Sequence, residues 1–346
     1  MKSRAYAALA AKTDLVPYEF ERRELGAHDV ALDISYAGIC HSDIHQVAEE
    51  WGPALFPMVP GHEIVGVVTK IGASVSRFTV GDTIGVGVFI DSCGTCQQCI
   101  EGLEQYCVEG MTETYNCLER DGSTVALGGY STSFVVKEKY AVKIPENLPL
   151  SGVAPLLCAG ITLFSPIQHW KVKAGMKVAV LGLGGLGHMG VKFAVAKGAE
   201  VTVLSHSRNK ESDALAMGAQ HFVDTSDRKN LADLTKSFDL ILNTVSAEID
   251  INLYLNLLKL DGTLVVVGVP GVPYSLNPAI LLDGRRSISG SKIGGIRELE
   301  EMLNFCSENS IVSDVEVINA DYINEAYKRT VASDVKYRFV IDTSTI

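Results

Sequence analysis

The sequence has no run of basic residues and no basic stripe, and its formal net charge is −11. Polyanions are recognised by clustered Lys and Arg, so nucleic acid and anionic membrane surfaces drop out as partners. No apolar stretch reaches the length of a membrane span. The opening Met1-Lys2-Ser3-Arg4-Ala5 lacks a signal-peptide core, so a cytoplasmic protein is expected. Neither an internal repeat nor a low-complexity linker interrupts the chain. Aromatics are sparse at 7%, but 47% of the residues are hydrophobic, enough to bury a full core. A length of 346 residues points to two domains rather than one.

Cysteine is present in quantity, with eight residues. Disulfides are rare in the cytosol, so metal ligation is the better reading of so many thiols. Cys93, Cys96, Cys99 and Cys107 follow C-x2-C-x2-C-x7-C. Four thiolates this close can close a tetrahedral shell on one zinc, and a closed shell is structural rather than catalytic. Iron–sulfur ligation competes, but the spacing departs from the ferredoxin patterns. Gly94 and Gly102 let the backbone wrap. Cys117 and Cys306 are left over and read as small buried hydrophobes.

A second set is dispersed. Cys40-His41-Ser42-Asp43-Ile44-His45 crowds polar side chains after a strand, and Pro60-Gly61-His62-Glu63 follows. Cys40, His62 and the distant Cys158 would supply two sulfurs and one nitrogen, with a fourth position open, as in a catalytic zinc site. Each is ordinary alone; their conjunction with a cofactor loop is not. Trp51 lies between the two motifs and is a candidate wall for an apolar pocket, with Leu157, Val269, Pro270 and Ile293 as further candidates by position.

Residues 1–151 read as mostly β, with strands near 30–36 and 64–71. From 152 to 289 strands and helices alternate, the pattern of a parallel sheet, with strands predicted at 177–182, 200–204, 221–223, 239–243 and 263–268. The tail from 290 carries one helical pattern (296–307) and a final strand (337–341). Gly182-Leu183-Gly184-Gly185-Leu186-Gly187 follows the first strand of the alternating region and opens a helix predicted over 189–197. This is the dinucleotide fingerprint in its required context, with the pyrophosphate at the helix N-terminus. An NAD site places Asp or Glu about twenty residues further on, at the end of the second strand. Here that place reads Ser205-His206-Ser207-Arg208-Asn209-Lys210. Hydroxyls and positive charge replace the acid, so the predicted cofactor is NADP(H), its 2′-phosphate meeting Ser205, His206, Ser207, Arg208 and Lys210.

These stretches together resemble the zinc-containing medium-chain dehydrogenases, and within them the cinnamyl alcohol dehydrogenases and their bacterial NADP-dependent aldehyde reductase relatives. The resemblance rests on Gly38 to Asp43, Val59 to Glu63, the four-cysteine lobe, Leu127 to Tyr130, Ala154 to Gly160, Gly182 to Gly187 and Asp334 to Val340. It implies an α/β protein of two parts. The first is a GroES-like β-rich catalytic domain, 1–151 completed by 290–346, with the zinc lobe near 91–110. The second is a Rossmann domain, 152–289, with the active site in the cleft between them. A homodimer and two zinc ions per chain are implied as well.

By the same resemblance, Cys40, His62 and Cys158 hold the catalytic zinc, and Glu63 lies behind it, able to approach. Asp43 orients the histidine ligand. Ser42 bonds the substrate oxygen, and His45 ends a proton relay. His41 is a candidate contact to the pyrophosphate. Thr162 packs on the nicotinamide, and Val269, Ser291, Lys292 and Ile293 occupy places that approach it. The implied reaction is reversible hydride transfer between primary alcohols, aromatic or aliphatic, and aldehydes. An NAD-dependent polyol or secondary-alcohol dehydrogenase is the alternative enzyme, disfavoured by the acid-free second strand. A zinc-binding redox sensor or storage protein is the non-enzymatic alternative, and the full ligand, relay and cofactor set argues against it. A zinc-free quinone reductase would lack both cysteine sets.

Overall fold

The computed structural model describes residues 1–346 as two compact units, Met1–Ile161 with Gly294–Ile346, and Thr162–Ile293. The sequence reading put these boundaries at 151 and 290. The observed boundary, at Ile161, falls inside the helix Ala159–His169.

The first unit is built on the ten-residue strand Asp29–Gly38. One of its edges is shared: its first half pairs with Ser133–Lys137 and its last residues with Arg338–Asp342. The other edge pairs antiparallel with Ile64–Ile71. That register sets Ala37 against Ile64, so the chain leaving the first strand towards Cys40 lies beside the chain that enters the second from His62 and Glu63. Gly38 N–H donates to the Glu63 carbonyl at 2.9 Å, which fixes the two ends. Thr83–Val86, Ala141–Lys143 and Val315–Asn319 extend the sheet. The tail thus belongs to the first unit. Its Ile318, Ile323, Phe339 and Ile341 share one buried cluster with Ala5, Ala7, Ile39 and Tyr130.

Cys158 reaches the same region by close backbone approach. Gly85 and Gly87 lie against Leu157; a Cβ on Gly87 would stand 2.9 Å from the Leu157 carbonyl oxygen. Only the missing side chains admit the turn that ends in Cys158.

The second unit is a six-stranded, wholly parallel sheet. Its strands are β1 (Lys177–Leu181), β2 (Glu200–Ser205), β3 (His221–Asp224), β4 (Phe238–Asn243), β5 (Leu258–Val266) and β6 (Ser287–Gly290). The order β3-β2-β1-β4-β5-β6 is that of a doubly wound dinucleotide fold. Helix α1 (Gly187–Ala196) follows β1. Near-continuous apolar runs suit strands buried on both faces, and Ala179, Leu181, Leu204, Ile241 and Leu264 form the core beneath the sheet.

The sequence reading missed the start of one strand of this sheet and the whole of another. β5 begins at Leu258, because Asp261-Gly262, which looks like a turn, is carried within the strand with Asp261 at φ 63°. β6 is short, polar and at an edge, so it shows no apolar alternation. The paired strands Lys2–Ala7 and Val16–Glu21 also went unanticipated.

Candidate active site and cofactor loop

Cys40 caps the short helix His41–Val47, and Asp43 is the third residue of that helix. The Asp43 carboxylate reaches back to the Cys40 N–H at 2.9 Å, the reciprocal half of a helix-capping arrangement. This local device places a carboxylate beneath Cys40. The same carboxylate also accepts from Gly61 N–H (3.2 Å), His62 Nδ1 (3.0 Å) and the Tyr130 hydroxyl (3.0 Å). With Nδ1 bonded to Asp43, His62 turns Nε2 the other way, and that buried nitrogen has no hydrogen-bond partner.

The donor atoms of Cys40, His62, Glu63 and Cys158 all lie within 4.8 Å of one another. Glu63 is fully buried. One of its oxygens accepts from Arg338 Nη2 at 2.5 Å, while the other has no partner. Arg338 is held in turn by two bonds to the Ile39 carbonyl, 3.1 and 2.7 Å. Burial pushes the Glu63 carboxyl up to about 7 against the opposing pull of Arg338. Two thiols, an orphaned imidazole nitrogen and an orphaned carboxylate oxygen facing one another fit a thiophilic divalent cation. Zinc suits this donor set.

The relay candidates stand around this cluster. Ser42 Oγ lies 3.5 Å from Cys40 Sγ. His45 Nδ1 is 2.5 Å from Glu50 Oε2, and its ring stacks on Trp51 at 4.9 Å between centroids. His41 is exposed, 5.8 Å from His45. Trp51 is half exposed, with His45 as its ring neighbour.

The other four cysteines converge as well, their sulfurs within 4.8 Å of one another. Gly94 and Gly102 take positive φ, 73° and 76°, a conformation that costs glycine nothing. N–H groups point at sulfur: Cys96 N lies 3.3 Å from Cys93 Sγ, and Cys93 N lies 3.4 Å from Cys107 Sγ. Backbone donors at Thr95 and Cys96 lower the Cys93 thiol to about 6. No cysteine is bridged. This set has no orphaned imidazole or carboxylate beside it, so it forms a closed thiolate cage.

In the second unit the predicted cofactor residues collect at the carboxyl ends of the strands, where open parallel sheets bind ligands. The glycine loop follows β1, Ser205 ends β2, Val269 follows β5, and Ser291 follows β6 with its N–H on the Val266 carbonyl at 3.1 Å. Ile293, just beyond, is buried at φ 40°. Gly182 has φ 91°. A Cβ on Gly184 would meet nothing within 4 Å, whereas one on Gly187 would stand 2.0 Å from the Gly182 carbonyl oxygen. Gly184 therefore leaves open space at the helix mouth, and Gly187 permits contact of loop and helix. Gly185 and Leu186 lie between them, half-buried. Ser205 is buried, Ser207 N–H bonds its hydroxyl at 3.2 Å, and His206 and Arg208 are exposed. Lys210 turns inward, donating to the Leu183 carbonyl at 2.9 Å. Thr162 is buried on helix Ala159–His169.

Several contributors went unrecognised in the sequence. Tyr115 lies nearly parallel to the His62 ring at 5.8 Å. Tyr130 and Arg338 fall within stretches that carried the resemblance, but neither showed its role. Thr244 closes over the glycine loop, its hydroxyl 2.8 Å from the Leu181 carbonyl. None has a sequence signal short of pairing information.

A thiolate and imidazole cluster in a β-rich unit, joined in one chain to a parallel-sheet unit with a dinucleotide loop, defines a zinc-type nicotinamide oxidoreductase. Residues 26–146 match the alcohol dehydrogenase GroES-like domain, and residues 185–308 match the zinc-binding dehydrogenase domain. The chain belongs to the zinc-binding alcohol dehydrogenase family. It is 55% identical to NADP-dependent alcohol dehydrogenase C 1 of Mycolicibacterium smegmatis, over 99% of this chain and 98% of that one. Among solved structures, a cinnamyl alcohol dehydrogenase of Sorghum bicolor is 42% identical and superimposes with a TM-score of 0.96, covering 99% of this chain and 98% of the other. The Helicobacter pylori cinnamyl alcohol dehydrogenase complexed with NADP(H) is 41% identical, with a TM-score of 0.93 and 99% of each chain covered. No single helix is long and apolar enough to cross a membrane.

The loop geometry gives one sharp expectation. Gly→Ala inside a helix ordinarily stabilises by about 1 kcal/mol. Gly187→Ala is expected instead to lower the unfolding midpoint and to abolish dinucleotide binding measured by fluorescence titration, because its Cβ meets the Gly182 carbonyl oxygen. A raised midpoint with unchanged binding would refute the packing role.

Proposed function

We propose that this chain is a zinc-dependent, NADP(H)-dependent alcohol dehydrogenase and aldehyde reductase. It interconverts primary alcohols and aldehydes, aromatic ones of the cinnamyl and benzyl type included. The observation that carries this reading is the buried Cys40, His62 and Cys158 donor set, whose histidine nitrogen has no protein partner. The names of the relatives add the cofactor and the substrate class.

When bound, zinc supplies Lewis acidity to an alcohol or carbonyl oxygen, and the nicotinamide supplies or accepts the hydride. The protein's own groups do the rest. Asp43 fixes the tautomer and tilt of His62. Ser42 stands next to Cys40 and would exchange the substrate's hydroxyl proton. His45 would pass that proton to solvent, an imidazole being suited to transfer near neutral pH. Glu50 holds the His45 ring. Glu63, with one oxygen anchored on Arg338, keeps its other oxygen towards the metal position. The four-cysteine lobe would hold a second zinc, making two per chain, and its role is structural.

The acid-free end of β2 supports NADP(H) over NAD(H). Ser205, His206, Ser207 and Arg208 would face the 2′-phosphate. Lys210 would join them by leaving the Leu183 carbonyl, or would act through the loop that it holds. The glycine loop from Gly182 to Gly187 would take the pyrophosphate, and Thr162, Val269, Ser291 and Ile293 would approach the nicotinamide. Trp51 would flank the substrate. All eight cysteines are free, which suits a reducing, cytoplasmic setting.

β6 is an edge strand, and Leu282, on the helix that precedes it in the chain, is exposed. Such an edge invites pairing with another strand, so a homodimer is proposed. Sedimentation equilibrium is expected to return twice the chain mass, and a single chain mass at micromolar concentration removes the dimer.

Initial rates of cinnamaldehyde reduction, followed by nicotinamide absorbance, test the cofactor assignment. NADPH is expected to exceed NADH by at least an order of magnitude, about 1.4 kcal/mol per tenfold. Equal rates overturn the 2′-phosphate argument. Cys40→Ala tests the metal assignment: turnover is expected to vanish while circular dichroism is unchanged and one zinc per chain remains. Turnover like that of the wild type would remove Cys40 from the site.

A further inference from the structure

We infer that Tyr130 is a positioning residue for the catalytic metal's histidine, acting through Asp43. The inference rests on the metal site proposed above and goes beyond its ligands. Asp43 is fully buried, and its two oxygens divide their work. Oδ1 accepts from His62 Nδ1 and Gly61 N–H; Oδ2 accepts from Cys40 N–H and the Tyr130 hydroxyl. Three of these donors belong to the segments that carry the ligands themselves. The fourth is a phenol on a separate turn, Gly128 to Tyr130, which carries no metal-ligand candidate.

Tyr130 is rigidly placed for that task. It is fully buried. Its N–H donates to the Pro60 carbonyl at 2.9 Å, and its carbonyl accepts from Tyr6 N–H at 2.9 Å. Gly61 lies against its ring: a Cβ there would stand 2.6 Å from Tyr130 Cδ1. Gly128 runs against the Pro60 and Gly61 carbonyls just as closely and Gly129 against the Ile64 side chain, with N–H bonds of 2.7 and 2.8 Å to the Val59 and Gly61 carbonyls. The turn that carries His62 is therefore laid on the turn that carries Tyr130, and the phenol locks the carboxylate that both share. Without the hydroxyl, Asp43 keeps its charge but loses one restraint on the angle that it offers His62. Tyr327 packs edge-on against Tyr130 at 6.4 Å, but its hydroxyl is not one of the four donors to Asp43. It is the natural control.

The test follows zinc release from the purified holoenzyme into a pyridylazoresorcinol chelator, for the wild type, Tyr130→Phe, Tyr327→Phe and Cys40→Ser. The phase missing from Cys40→Ser identifies the catalytic zinc. Tyr130→Phe is expected to release that zinc faster by on the order of tenfold, the scale of effects from partners of ligating histidines. Its four-cysteine zinc and its unfolding midpoint should stay as in Tyr327→Phe. Cobalt substituted at the catalytic site should show a shifted ligand-field band in Tyr130→Phe alone. Release at the wild-type rate with an unchanged cobalt spectrum overturns the inference. Equal acceleration of both zincs also overturns it, because that is general loosening. A wild type with no Cys40-dependent zinc sinks the underlying metal site instead, a distinguishable failure.

Discussion

The hydrogen bond between Asp43 and His62 is the constraint on which the rest of the first unit depends. A carboxylate at zero exposure is costly unless its charge is met by donors. Asp43 meets that demand with four, drawn from Cys40, Gly61, His62 and Tyr130. Those donors come from three stretches far apart in sequence. Satisfying one buried charge therefore holds the Cys40 and His62 segments together. The same bond decides which imidazole nitrogen is free, and a ligating histidine needs that choice made for it.

The surrounding sheet is arranged to bring those stretches to one place. Asp29–Gly38 and Ile64–Ile71 pair so that the end of one and the start of the other are neighbours. Glycine makes the approach possible: a Cβ on Gly38 would stand 1.9 Å from Glu63 Oε2. Further out, Arg22 lies half-buried between the Phe20 and Phe134 rings, 4.6 Å from each centroid. It donates to the carbonyls of Leu127, Gly128 and Ser133 and to the Ser131 hydroxyl. It thus fastens the segment that holds Tyr130, and through it the turn bearing His62. Packing, backbone pairing and one half-buried arginine converge on the orientation of a single ring.

The features legible in the sequence were those whose chemistry demands a residue type at a fixed spacing. Four cysteines around a tight turn, the glycines of the cofactor loop and the missing acid after β2 are of this kind. The parallel sheet was legible because doubly buried strands are continuous apolar runs, and the tail's place in the first unit was legible only through the resemblance. Tyr115, Tyr130 and Arg338 were not legible as partners, because each acts through a contact whose other half lies at least fifty residues away, as with Tyr115 and His62. A tyrosine in a β-rich stretch reads as core, and here it is core with one atom put to use. β6 failed for the opposite reason. Three small residues around a single isoleucine at a sheet edge bury too little to leave a pattern.

Charge bookkeeping shows why the buried donors fall where they do. A divalent zinc, were it held by the Cys40 and Cys158 thiolates and a neutral His62, would leave no net charge. Glu63 is balanced by Arg338, a buried ion pair with its remaining guanidinium bonds on the Ile39 carbonyl. Asp43 alone has no cation of its own. Its charge is spread over neutral donors: two backbone N–H groups, an imidazole and a phenol. Were a lysine or arginine to neutralise Asp43 instead, the carboxylate would polarise His62 less, and the histidine would be a poorer electron donor to the metal. The absence of a basic partner at Asp43 is thus as much a part of the site as the presence of one at Glu63. It leaves the orientation of the carboxylate to hydrogen bonds, which are directional in a way that a point charge is not.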